Sequence, residues 1–250
     1  MKFSPPLIKA RLKKRYKRFL ADVQHPKLGE FTAHCPNTGS MKNCWQAGDE
    51  VWLLDSENPK RKYRYTWVLR QSSDGDMLCI NTHLANRIVI EGIENQIIHE
   101  LQGYDQILQE VKYGDENSRI DLLLSCDNKR DCYVEIKTVT LLETKLGTGL
   151  EKELENDLAQ GAGFFPDAVS TRAQKHLREL MMMVEQGHRA VLLFLVQHTG
   201  ITSVSPAQHI DPQYAELLRL ASHSGVEIMA YNTHISPADI KLQQALPVIL

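Results

Sequence analysis

Polar and apolar residues change rhythm along this chain near residue 82. Before that point they alternate over short stretches set apart by turn residues, the period-two pattern of half-buried strands. From Arg15 to Val23, Tyr16, Arg18, Leu20 and Asp22 alternate with Lys17, Phe19, Ala21 and Val23, which predicts one extended segment. The turn His25-Pro26-Lys27-Leu28-Gly29 leads into a strand over Glu30–His34. A loop of turn residues, Cys35-Pro36-Asn37-Thr38-Gly39, follows. Further strands are predicted at Glu50–Leu54 after Gly48-Asp49, at Lys62–Leu69 after Asn58-Pro59, and at Met77–Asn81 after Asp74-Gly75. Five short strands with turn signals between them predict a small barrel of the OB type.

After residue 82 helical spacing enters. Thr82 is placed to cap a helix over His83–Glu91, with Leu84, Ala85, Ile88 and the residues near Ile93 on its buried stripe. A helical or irregular piece, Glu94–Leu101, precedes three strands, Ile107–Tyr113, Ile120–Leu124 and Cys132–Lys137, with turns at Asp115-Glu116-Asn117 and Asp127–Asp131. Leu141–Gly163 is a charged stretch bracketed by glycines, its middle, Glu151–Leu158, of helical character. A helix over Ala168–Glu185 buries Leu177, Leu180, Met181 and Val184 and ends at Gly187. Ala190–Val196 is apolar throughout, as a central strand buried on both faces requires. Asp211 and Pro212 start a helix to Ala221, Gly225 ends it, and Val226–Tyr231 is predicted as the last strand. The order α-β-β-β-α-β-α-β implies helices on both faces of a mixed sheet. The division predicted is a barrel domain over residues 1–82 and an α/β domain over 83–250.

Composition changes little in this picture. A chain of 250 residues, 42% hydrophobic and 24% charged, is an ordinary folding chain of one large or two small domains. No apolar run reaches the length of a membrane span, and the start lacks the apolar region of a signal peptide, so a cytoplasmic address with no membrane partner is expected. Five Cys without a close pair support neither a zinc ribbon nor a disulfide framework. The net charge of −2 conceals strong segregation. Lys2 to Arg18 carries eight basic residues and no acid, and Lys60, Arg61, Lys62 and Arg64 interleave with Tyr63, Tyr65 and Trp67. On an OB barrel, basic residues beside aromatics make a nucleic-acid face, here Arg15, Lys17, Arg18, Lys60, Arg61, Lys62, Arg64 and Tyr65, with Trp67. The competing interpretation is a solvated edge whose lysines prevent aggregation.

The candidate chemistry lies in Ser118–Thr138. Asp121 begins one strand, and Glu135 and Lys137, two apart, point to the same face of the next together with Tyr133. Cys132, Val134 and Ile136 take the other face. Two carboxylates hold a hard divalent cation, Mg²⁺ or Mn²⁺, through oxygen. A neighbouring ammonium then orients water or neutralises the charge growing on phosphate. The alternative is a cross-strand ion pair on a solvated face. Glu110, on the preceding strand, is a further acid. Arg172, Lys175 and His176 share one face of the following helix.

The order of elements, with Asp121 on the second strand and Glu135-Ile136-Lys137 on the third, resembles the PD-(D/E)xK nuclease fold. Six motifs, HCPNTGSM (34–41), KRKYRYTW (60–67), SRIDLLL (118–124), YVEIKTVTL (133–141), FPDAVSTRAQKHLREL (165–180) and the final PVIL, resemble the sugar fermentation stimulation protein A family over nearly the whole chain. The resemblance implies a two-domain α+β architecture, an N-terminal OB-fold barrel followed by a C-terminal mixed-sheet, nuclease-like domain. It also implies DNA binding. Carried over, it makes Asp121 and Glu135 metal ligands, the Ile136 carbonyl a third donor, Lys137 the water-orienting residue, and Arg172, Lys175 and His176 phosphate contacts. Arg119-Ile120 stands where the nuclease motif has its Pro, and Leu142–Gly163 is an acidic insertion beside the site. Three functions compete. The first is a largely sequence-nonspecific DNA-binding protein with a Mg²⁺-dependent phosphodiesterase site. The second is a non-catalytic DNA-binding regulator of sugar (maltose) utilisation. The third is an RNA-directed variant of the first. Single- or double-stranded DNA and the oligomeric state, a homodimer included, stay open.

Overall fold

The structure, a computed structural model, describes residues 1–114, 118–143 and 161–250. Strands β1 (Ile8–Tyr16), β2 (Leu20–His25), β3 (Gly29–His34), β4 (Glu50–Asp55) and β5 (Tyr65–Gln71) form the barrel, and β6 (Met77–Cys79) is added at the edge of β5. The pairings β3-β2-β1-β4-β5 close through a bridge from His34 to Thr66, the five-stranded OB-type arrangement that the turn spacing predicts. Alternate residues fill its centre: Leu12, Ala21, Val23, Ala33, Val51, Leu53, Trp67 and Leu78.

Four sequence expectations change here. Arg15–Val23 is not one strand. Lys17 and Arg18 adopt left-handed conformations (φ 48° and 64°) and turn β1 back into β2, so the polar–apolar alternation runs through a hairpin turn without registering it. The strand expected from Lys62 begins at Tyr65, because Lys60–Arg64 belong to the loop after β4. Trp67 is fully buried, with its indole N–H donating to the Leu69 carbonyl, and so cannot belong to a binding face. Inside this region Asp49 and Arg70, both nearly buried, form an ion pair of 2.7 Å, and Asp49 also accepts from Gln46 N–H. Arg70→Met leaves that carboxylate buried without its cation and is expected to lower the unfolding free energy by about 3 kcal/mol in denaturant titration.

The fourth change concerns the first helix. Asn81, not Thr82, caps a single 3₁₀ turn over Thr82–Leu84, which leads into α1 (Ala85–Glu94). The Asn81 side chain accepts from His83 N–H, a short-range bond that shifts the cap back by one residue.

The second sheet is built from β7 (Gln106–Tyr113), β8 (Ser118–Ser125) and β9 (Cys132–Val139). Short strands β10 (Leu141–Leu142) and β11 (Ala162–Phe165) follow, then α2 (Thr171–Glu185) capped by Ser170. The chain continues through β12 (Arg189–Val196), β13 (Ser203–Pro206), α3 (Pro212–His223) capped by Asp211, β14 (Glu227–Ile235) and β15 (Ile240–Ala245). The main sheet has the order β15-β14-β12-β9-β8-β7, with β9, β12 and β14 parallel and the remaining pairs antiparallel. A small sheet, β10-β11-β13, stands beside it. The last strand is therefore β15, not Val226–Tyr231. Its sequence, IKLQQA, buries only Ile240 and Leu242, too weak an alternation to read alone. The expected turn 115–117 and the helical middle of the acidic insertion, 151–158, lie outside the described residues.

The sheet separates two cores, as a strand apolar at every position demands. Val191, Leu193 and Leu195 of β12 face α1 with Val134 and Ile136, in a core that also takes in Trp52, Val68 and Leu69 from the barrel. Leu192, Phe194 and Val196 face α2 and α3 with Leu177, Leu180, Tyr214 and Leu218. Barrel and sheet thus share buried surface, and the ends of β8 and β9 are held between them.

Candidate active site

Glu135 and Lys137 leave β9 on the α2 side, as the alternation requires, while Cys132, Val134 and Ile136 enter the opposite core. Asp121 reaches the same place by a break in the ladder. The β8–β9 register runs Leu124–Cys132, Leu123–Tyr133, Leu122–Val134 and stops. Beyond it, Ile136 N–H donates to Asp121 Oδ2 at 2.7 Å. The carboxylate takes a backbone donor that the next cross-strand partner would have used, and the strands part around it. On the other side, the β7–β8 register skips the pair Glu110–Asp121. Glu110 there has φ 54°, a left-handed conformation that is costly for a residue with a side chain and that clusters at functional sites.

The result is a cavity of about 620 Å³ lined by Glu110, Asp121, Glu135, Ile136, Lys137 and Arg172, with Thr82, His83, Asn86 and Arg87 from the start of the first helix as the opposite wall. Glu135 lies at its floor, 2% exposed. Its Oε1 accepts from Lys137 Nζ at 2.6 Å and is in short contact with His176 Nδ1. Lys137 Nζ is 3.1 Å from that same ring nitrogen, and Arg172 Nε is 3.4 Å from His176 Nε2. Burial acts to raise the Glu135 pKa, but Lys137 and His176 more than offset it and hold the carboxyl below its ordinary value. Asp121 is pulled down only by the Ile136 N–H and the Lys137 charge. Burial first, and the Glu135 charge second, push it up to about 7 against the weaker pull of the Ile136 N–H. Two carboxylates thus meet in one buried place, one held toward its ionised form and one resisting ionisation.

Oxygen donors dominate it. Among the described residues nothing hydrogen-bonds Glu135 Oε2, which is buried, so one lone-pair-bearing atom is left for a ligand. Among the described residues no three His, Cys, Asp or Glu side chains gather as a metal cluster. The protein's own donors are therefore the Asp121 and Glu135 carboxylates and main-chain oxygen, with water to complete a shell. That set fits Mg²⁺, Mn²⁺ or Ca²⁺ and not a nitrogen- or sulfur-seeking metal.

A second cavity of about 520 Å³ adjoins the first and shares Glu110 and Arg172 with it. Arg119, Lys175, His176 and Arg178 line its far part. Sequence reasoning missed Arg119 and Arg178, although both were signalled: Arg119 lies two before Asp121 on the same strand face, and Arg178 is one turn beyond Lys175.

The structure thus brings together Asp121, Glu135, Lys137, Glu110 and Arg172, and sets Lys175 and His176 next to them. It places the barrel residues elsewhere. Arg15 donates to the carbonyls of Arg18, Asn37, Gly39 and Ser40 and so pins the 35–41 loop. Arg64 grips Asp55 with a bidentate pair and lies over the Tyr65 ring, which itself packs on Phe31. Lys17 and Arg18 are exposed in the β1–β2 turn, and Lys60, Arg61 and Lys62 in the loop before β5. Burial first, and then the Arg61 and His83 charges, lower the His34 pKa. None of these eight lines the two cavities.

Comparison with known proteins agrees with this architecture. A family model described as "SfsA N-terminal OB domain" matches residues 14–80, and one described as "Sugar fermentation stimulation protein RE domain" matches residues 83–239. Sugar fermentation stimulation protein homologs from Shewanella loihica and Shewanella frigidimarina are 55% and 53% identical over 250 residues, the full length of both chains. The solved structure of Pyrococcus furiosus SfsA in complex with Ca²⁺ superposes with a TM-score of 0.84 at 27% identity, covering 100% of this chain and 98% of that one. The chain belongs to the sugar fermentation stimulation protein A (SfsA) family.

Proposed function

We propose that the protein binds nucleic acid and carries a divalent-cation-dependent phosphodiesterase site at Asp121, Glu135 and Lys137. One observation carries this reading: the pocket that gathers Glu110, Asp121 and Glu135 opens directly into a cavity lined by Arg119, Arg172, Lys175 and Arg178. Phosphate in the basic cavity would lie beside the carboxylates. The relative's complex with Ca²⁺ supports a hard cation in this fold. Such an ion, when bound, supplies charge neutralisation and polarisation of the phosphoryl oxygen. Lys137 is the ammonium held on Glu135, and its Nζ would donate to a bound phosphate or to a water beside it. Glu110, exposed at the mouth, is the carboxylate placed to accept a proton from that water. Arg172 grips phosphate, and its Nε contact to His176 ties that grip to Glu135.

A second reading, a DNA-binding regulator without catalysis, is favoured by one contact set. Lys137 and His176 already occupy Glu135 Oε1 and close a small polar network. Cleavage assays of labelled DNA and RNA over several metals decide between the two. Repeatable absence of cleavage leaves the regulator, and preference for RNA redirects the substrate.

Phosphate contact has its own signature. Binding of DNA should weaken steeply with salt, and Arg172→Ala and Lys175→Ala should each lower the slope of log affinity against log salt by about one. Anisotropy titrations at several salt concentrations read that slope, and a flat salt response is the result that removes the phosphate contacts.

A further inference from the structure

The two cavities around Asp121 continue into a third. A small cavity of about 90 Å³ is lined by Asn37, Thr82, Thr138, Thr140, Phe164, Phe165 and Asp167 with Leu141, and it shares Thr82, Thr138 and Phe165 with the carboxylate pocket. Three connected spaces therefore form one trench. A cationic arm lies at one end, the carboxylates at the centre, and an aromatic and amide-lined arm at the other.

The small arm is built for a ring edge with polar substituents. Asn37 keeps its side-chain oxygen on Gly39 N–H at 2.8 Å, so its amide nitrogen is the group left to donate. Asp167 receives Ser40 Oγ and Met41 N–H on Oδ2, at 2.8 and 2.9 Å, so Oδ1 is left to accept. Those bonds fix the barrel loop and the β11–α2 loop against each other, so the donor and the acceptor are held rigidly. Phe165, packed on Phe194 and Tyr214, lines both this arm and the carboxylate pocket. A flat surface with a donor and an acceptor nearby is how nucleobases are held outside a helix.

Size excludes a base pair from the small arm of this trench. The arm of about 90 Å³ is well below the roughly 300 Å³ at which pockets begin to enclose a whole small ligand, so it admits one ring edge and no base pair. The carboxylate pocket, about 620 Å³, is the size of pockets that enclose one small molecule. Glu135 lies at its buried floor, walled by the start of the first helix on one side and of α2 on the other. A duplex keeps its bases stacked and its backbone on a stiff convex surface. An unpaired strand bends into a trench and turns a base out of line.

We propose that the strand entering this site is unpaired, with its phosphates in the Arg119–Arg172 arm and one base edge in the Asn37–Asp167 arm. This rests on the nucleic-acid reading above and narrows it.

The test is anisotropy with short fluorescein-labelled oligonucleotides of one sequence, single-stranded or duplex, at fixed salt in Ca²⁺, using the full chain. The single strand should bind about tenfold or more tightly than the duplex, the scale of one base stack. Asn37→Ala and Phe165→Leu should lose about that factor for the single strand and leave the duplex affinity unchanged, whereas Arg172→Ala weakens both. Because Phe165 also packs in the core, Thr138→Val, which replaces a hydroxyl lining the same arm by a methyl, serves as the further variant and should lose single-strand affinity alone, with thermal melts confirming each fold. Duplex binding equal to or tighter than single-strand binding overturns the proposal and leaves the nucleic-acid reading standing. So does an equal loss for both forms in the arm variants. Binding to neither oligonucleotide overturns both.

Discussion

Under the proposed function, Asp121→Asn and Glu135→Gln should each abolish divalent-cation binding at this site and lower cation-dependent cleavage by about a hundredfold or more, the cost of removing a group aimed at developing charge. The two losses have different local causes. Asp121 contributes a carboxylate whose Oδ2 already holds Ile136 N–H, so the Asn variant keeps that bond through its side-chain oxygen and loses only the charge. Glu135 loses the charge that Lys137 and His176 both bind, so Glu135→Gln also loosens those two side chains. Lys137→Ala separates ligand from ammonium roles. It should keep the calorimetric cation signal, because Lys137 contributes no oxygen, and still lose cleavage by a similar factor. Single-turnover cleavage and cation calorimetry on the three variants read these outcomes together. Cleavage unchanged in both carboxylate variants would place its source outside this pocket, and cation binding unchanged in both would remove the ligand assignment.

The chemistry at the centre was legible in the sequence because strands alternate. Glu135 and Lys137 share a face by spacing alone, and Ala190–Val196 can only be the doubly buried neighbour that β12 proves to be. Asp121 was legible as an acid at a strand start, but its means of reaching Glu135 was not. The parting of β8 from β9 and the left-handed Glu110 are backbone events without a residue signature, since neither position is glycine. The barrel was legible through its turns. The face expected on it changes at Trp67, which fills the barrel core, while Lys17, Arg18, Lys60, Arg61 and Lys62 are exposed. Lys9, Lys13 and Lys14 each meet an acid on another strand of the barrel, Glu50, Glu30 and Asp22, and Arg64 meets Asp55. A basic run that alternates along a strand reads as a contact surface, while the acids that complement it come from other strands and are visible only after folding. For the same reason the Asn37–Asp167 arm joins residues 130 positions apart, and no local pattern announces it.

In the absence of cations, wild type should be markedly less stable than Asp121→Asn at pH 8, by about 4 kcal/mol, and the two should converge near pH 4. The sign follows from the direction of the shift. Burial and the Glu135 charge carry the Asp121 carboxyl from its ordinary 3.8 to about 7. The unfolded chain therefore releases this proton at lower pH than the folded one. Between those two values each rise in pH favours unfolding, and above 7 the full difference, about 1.4 kcal/mol for each pH unit between the two values, is lost from the folded state. Asn carries no such charge, so the difference between the two proteins isolates one group. That isolation is needed because His198 works the other way. Burial lowers its pKa from 6.5 to about 4, although Asp76 acts to raise it, so its contribution is lost as pH falls through the same range. Wild type alone would mix the two effects, and those of His34 and Glu135 with them, whereas these groups are common to both proteins and drop out of the comparison. Mg²⁺ or Ca²⁺ should then close the gap at pH 8 from the wild-type side only, because a cation that binds the ionised folded form stabilises it by mass action. Urea titrations from pH 4 to 8.5, in chelator and in excess cation, measure both effects. A pH-independent difference between the two proteins would show that Asp121 ionises without penalty, and the electrostatic demand for a cation between Asp121 and Glu135 would go with it.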